Sequence, residues 1–109
     1  MKKFFVLYKA PIEEFTAAMK KMTPEDQQKS KAEWQEWMTK HKADTVDMGA
    51  PVGKTKAVTR TGTSDIKNDI GGYSIVQAES HDAATKIFTD SPHLKRMNGS
   101  IEVMEIMEM

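Results

Sequence analysis

The spacing of apolar residues changes along the chain, and each change marks an element. Residues 3 to 9 carry Phe4, Phe5, Val6, Leu7 and Tyr8 without a helical period, and Pro11 closes the run. A short strand, buried on both sides, is expected there. From Ile12 the period becomes helical, because Phe15, Ala18, Met19 and Met22 fall at i, i+3, i+4 and i+7 on one face. Thr23-Pro24-Glu25-Asp26 then opens a second helix. Threonine can cap free amides, proline suits the first helical position, and the acids meet the positive end of the helix dipole. This helix is expected from Pro24 to about Lys42, wet over Gln27, Gln28, Lys29, Lys31, Glu33 and Glu36, and anchored late by Trp34, Trp37, Met38 and His41. The pattern leaves open whether residues 12–42 form one bent helix or two.

Asp44 to Thr61 mixes Gly49, Pro51 and Gly53 with Val46, Val52, Thr55, Val58, Thr59 and Thr61, which predicts an irregular strand or a broken pair. Gly62 to Asp69 is polar and is read as an exposed loop. Gly71-Gly72 introduces a strand over Tyr73 to Glu79. Ser80 can cap a helix that has Asp82 in its first turn, a buried stripe of Ala83, Ala84, Ile87 and Phe88, and Pro92 as its stop. Asn98-Gly99 signals a turn before a last strand over Ile101 to Met107.

The order matches the β-α-β-β-α-β plan of a ferredoxin-like α+β subunit, one domain over residues 1–109. Right-handed crossovers put both helical regions on one face of the sheet. Yet the strands are apolar on both sides: Phe4, Val6 and Tyr8 oppose Phe5 and Leu7, Tyr73 and Ile75 oppose Val76 and Ala78, and Ile101 and Val103 oppose Met104 and Ile106. A bare face of this kind exceeds what monomers usually expose. A homodimer with facing sheets is expected, unless residues 44–70 cover the second face. Met97, Met104, Met107 and Met109 would suit such an interface.

Charge narrows the partners. Sixteen basic residues balance sixteen acidic ones, so the long-range positive field of a nucleic-acid binder is absent. The short basic pairs Lys20-Lys21 and Lys95-Arg96 read as solvated faces. The chain has no cysteine, which excludes disulfides, thiolate metal sites and thiol nucleophiles. The five-residue apolar run after Lys3 is too short for a secretory signal, and no run reaches the ~20 residues of a membrane span. A cytoplasmic protein without nucleic-acid or membrane partners is expected.

Candidate chemistry is sparse. Gly49 to Thr55 imitates a phosphate-binding loop but is one residue short, and extended chain is expected after it. His41, His81 and His93 do not have metal-ligand spacing, so neither a metal nor another cofactor is expected. His81 reads as a surface residue beside a capping serine. His93 is the candidate acid or base, because Asp90-Ser91-Pro92 bends the chain and can turn its ring inward with Asp90 as the orienting acid. Trp34, Met38, Tyr73 and Ser91 are expected to line a ligand pocket between helix and sheet, with core packing as the plainer role for Trp34 and Trp37.

Gly71 to Ala84, then Asp90-Ser91-Pro92-His93 and Ser100-Ile101-Glu102-Val103, make the chain resemble the YCII-related family, including its DGPF-type members. The resemblance implies a dimeric α/β barrel. It also implies, for some members, a histidine on the first long helix paired with an aspartate just before the proline after the last helix. Here that helix offers Trp34 and Trp37, and Ser91 precedes Pro92, so the pair is absent from the expected positions. Two functions stand side by side: a homodimer that binds, and in one version transforms, a small molecule, and a non-catalytic dimeric interaction module.

Overall fold

The computed structural model describes residues 1–95 and 99–107, leaving aside the side chains of Ile12, Phe15, Met19 and Lys95. The expectations placed on Phe15, Met19, the Lys95 side chain, Arg96, Met97, Asn98 and Met109 lie outside that description. Elements run β1 (Lys2–Lys9), α1 (Ile12–Lys21), α2 (Pro24–Lys40), β2 (Thr45–Pro51), β3 (Thr55–Thr59), β4 (Gly62–Ile66), β5 (Ile70–Ala78), α3 (His81–Ile87) and β6 (Ser100–Glu105), with 3₁₀ turns at Lys42–Asp44 and Pro92–Lys95. Four strands form one sheet in the order β2-β5-β1-β6, with antiparallel neighbours throughout. This α+β arrangement is consistent with the ferredoxin-like plan, with β3 and β4 added as a separate hairpin.

Residues 12–42 resolve into two helices. Met22 and Thr23 are extended, and Thr23 and Asp26 form a reciprocal capping box, each accepting from the other's backbone amide at 3.1 and 3.2 Å. Ser80 caps α3 by accepting from the Ala83 amide at 3.1 Å. That helix ends at Ile87 rather than at Pro92, which instead starts the following turn.

Both helical regions do sit on one face. Trp37 of α2 and Ala84, Ile87 and Phe88 close over Phe4, Val6 and Tyr8 of β1 and Val76 and Ala78 of β5. The first strand is therefore buried on one side only; Phe5 and Leu7, turned away, are half-buried because the described residues supply no second layer. The molecule is 19 Å thick along its shortest axis, the depth of one helix on one sheet. Residues 44–70 do not cover the second face, for β2 is an edge strand and the β3–β4 hairpin packs chiefly on itself.

The stretch read as a loop over Gly62 to Asp69 begins with β4, which pairs residue by residue with β3 through Gly62, whose φ is +137°. Every β4 residue is exposed, so no alternation of burial marked it as strand. The last strand ends at Glu105, two residues short of the expected Met107. β2 carries an extra residue at each of two bulges. At the second, Gly49 has φ +70°, Asp47 Oδ1 accepts from its amide at 2.8 Å, and a Cβ there would fall on the Tyr73 carbonyl. No helix follows the glycines; the extended chain expected there is β3.

Candidate functional site

The first half of α2 stands off the sheet and leaves a cavity of about 1030 Å³, near the upper end of ligand-site volumes. Trp34, Trp37 and Met38 of α2 form one wall, and Tyr8, Ser74 and the bulged segment Met48 to Pro51 form another. Bulging β2 brings Met48 and Ala50 to the cavity. Ala18 and Met22 border it from α1. The aromatic wall is ordered by edge-to-face contacts, Tyr8 to Trp34 at 5.3 Å and Trp34 to Trp37 at 6.0 Å between centroids.

Of the residues expected at a pocket, Trp34, Met38, Tyr73 and His93 border this one. Tyr73 does so from its strand position, for its ring stacks on Phe5 at 5.9 Å on the opposite face of the sheet. Ser91 is not on the wall. It is 1% exposed in the protein interior, where its hydroxyl accepts from the His93 amide at 3.3 Å. The bend at Ser91-Pro92 turns that side chain inward instead of towards the cavity.

His93 does turn inward, onto a partner different from the one expected. Its Nε2 lies 2.6 Å from the Lys9 carbonyl oxygen. A carbonyl only accepts, so Nε2 carries the proton and Nδ1 of the neutral ring is the acceptor. The ring stands edge-on to Tyr8 at 5.7 Å. Gly99 backs it, since a Cβ there would sit 2.8 Å from His93 Nε2 and 2.5 Å from its carbonyl oxygen.

Asp90 does not orient His93. Its carboxylate accepts from Trp37 Nε1 at 2.9 Å and pairs with Lys40 Nζ at 2.6 Å, which ties α2 to the turn after α3. The Lys40 and Trp37 hydrogen bonds hold this carboxyl well below the usual carboxylate range, against a smaller opposing effect of desolvation. His41, at the end of α2, packs at a tilt against Trp37, 4.8 Å between centroids, and brings Nε2 to 3.5 Å from Asp90 Oδ1. That nitrogen is buried and makes no hydrogen bond. A histidine and an aspartate thus meet at the end of α2, although the sequence placed His41 only on an apolar stripe. The sequence holds only part of this: His41 follows Trp37 by one helical turn, and a buried indole N–H needs an acceptor, but neither signal names Asp90. The pair sits behind Trp37, outside the cavity wall.

His81 is exposed, and its Nε2 lies 2.8 Å from the Val103 carbonyl oxygen. Among the described residues no three His, Asp or Glu side chains converge on a point where a metal could bind. No helix among them is long and apolar enough to cross a membrane. A model of the YCII-related domain matches residues 4–109. No curated protein matches the chain.

Proposed function

The chain belongs to the YCII-related family, and from that premise we propose that it is a homodimeric protein that binds a small molecule in the cavity between α2 and the sheet. One observation carries the reading: an apolar cavity with both tryptophans of the chain on its wall, Tyr8 and Ser74 beside them, and one imidazole ring held in place at its edge. Few polar groups converging in a mostly apolar hollow is the usual make-up of a ligand site. His93 supplies the acid/base group if a reaction occurs, through Nδ1, while Asp90 serves as a structural tie. Trp34 and Trp37 fluorescence should respond to an apolar probe titrated into the native protein. Trp34→Ala should weaken that binding, and His93→Ala should weaken it or abolish turnover with the fold intact. Loss of the fold alone in both variants would count against the reading.

The second copy is proposed to lie on the bare sheet face. Phe5, Leu7, Tyr73, Ile75 and Met104 form its apolar centre, and Lys9 bridges Glu102 and Asp69 at 3.0 and 3.7 Å on its edge. An apolar centre with a charged rim is how protein interfaces are built. Sedimentation at micromolar concentration should give twice the chain mass, and Leu7→Asp should halve it. A native monomer overturns the assembly. A non-catalytic dimeric module is the second reading, favoured by His93 Nε2 and Asp90 both being spent on protein partners. A native dimer whose tryptophans respond to no probe would support it.

A further inference from the structure

The floor of the cavity holds a surplus donor. The Tyr8 and Ser74 hydroxyls share one hydrogen bond of 3.0 Å, and neither oxygen makes another among the described residues. Two hydroxyls bring two protons, and one bond between them uses one. The other O–H is left to donate. Both side chains border the cavity and both are buried, Ser74 at 4% and Tyr8 at 9% exposure. Burial raises the phenol's pKa, against a smaller lowering by the Ser74 hydrogen bond, so the group remains a neutral donor around pH 7.

The solvent side of the cavity has the opposite character. Lys21, Lys29 and Lys31 border it there, all exposed, and none is in an ion pair among the described residues. Among the described residues Asp26 is the single acid on the wall, and its carboxylate accepts from the Thr23 amide in the cap of α2. A ligand carboxylate is better placed beside these lysines, where it stays hydrated, than on the floor, where it would exchange water for neutral donors alone.

Resting on the ligand-binding reading above, we infer that the cavity takes an amphipathic anion: charged end at Lys21, Lys29 and Lys31, apolar body along Trp34, and a neutral oxygen that accepts from the Tyr8–Ser74 pair. The two tryptophans of the chain are the reporter. The test titrates the native protein with 4-phenylbutanoate, its neutral amide, and 4-(4-acetylphenyl)butanoate. The acetyl compound should bind about 3- to 10-fold tighter than the parent acid, the effect of one net hydrogen bond. The amide should bind about 2- to 5-fold weaker than the acid, and added salt should close that gap.

Either hydroxyl alone still donates, so the deciding variant is the double one, Tyr8→Phe with Ser74→Ala. It should erase the acetyl preference, so that within this variant 4-(4-acetylphenyl)butanoate and 4-phenylbutanoate bind with the same affinity. Binding of all three probes with equal affinity overturns the inference while the ligand-binding reading survives. An acetyl preference that persists in the double variant also overturns it. Quenching by none of the probes overturns the reading and the inference together.

Discussion

The two ends of the helical layer rest on the same sheet and do opposite things. At one end α3 presses Ala84, Ile87 and Phe88 against Phe4 and Val6, with exposures between 0% and 9%. At the other end α2 touches the sheet through its last turns, and its first turns face a cavity of about 1030 Å³. The difference lies in the stripe each helix carries. α3 is short, capped by Ser80 and apolar along one whole face, so it lies down along its length. α2 begins Pro-Glu-Asp-Gln-Gln-Lys-Ser-Lys, which gives the sheet nothing apolar to hold, and Trp34 is its first large anchor. A layer that packs at one end and lifts at the other makes a stable body with a hollow beside it.

Substitutions can break this contrast. Phe88→Ala should cost about 3–5 kcal/mol in denaturant unfolding, because the packed end cannot relax into the space left. Trp34→Ala, although it removes a larger side chain, should cost only about 1–2 kcal/mol, because one side of the indole already faces the cavity. Equal losses would mean that the hollow end is as tightly packed as the other. Gly99→Ala should cost about 1–3 kcal/mol, because a methyl group there meets the His93 ring and carbonyl. The His93 ring signals in NMR should shift with it as the Lys9 bond is lost, while those of His81 stay in place.

The smallest effect concerns the tie between the two ends. Asp90 is held below the ordinary carboxylate range by Lys40 and Trp37. A depressed folded value makes its stabilisation fully present above the unfolded value of about 4, and lost as pH falls through the folded one. Denaturant midpoints of the native protein should therefore fall between about pH 4 and about pH 2, and Asp90→Asn should flatten that limb. Its side chain is 45% exposed, so screening keeps the change modest. An unchanged acid limb in Asp90→Asn would show that the pair does not link α2 to the turn after α3.

The legibility of each feature followed from how local its cause was. β1, β5, both caps and the buried stripe of α3 came from spacing and from capping residues within a few positions of one another. β4 escaped because a hairpin wet on both faces has hydrogen-bonded rungs but no burial period. Trp34, Met38 and His93 were named as site residues from their types and positions, and they do border the cavity. Ser91 was misplaced because neighbours in sequence around a proline bend need not point the same way. Asp90 was given the wrong partner because its true ones, Trp37 and Lys40, lie about fifty residues earlier in the chain.

The chain's own order of residues determined which segments would be helix and, β4 apart, which would be strand, that the strands of the main sheet would be apolar front and back, and which chemistries were closed to it. Those properties depend on side-chain type and short-range period. Tertiary structure alone decided that Tyr73 would turn its ring to the bare face, that His93 would find the Lys9 carbonyl, that His41 would meet Asp90, and that Tyr8 and Ser74 would be left with one proton to give. Each of these depends on strand register and on the height at which a helix rides over a sheet. Those are set by the packing of the whole molecule, and no local stretch of sequence carries them.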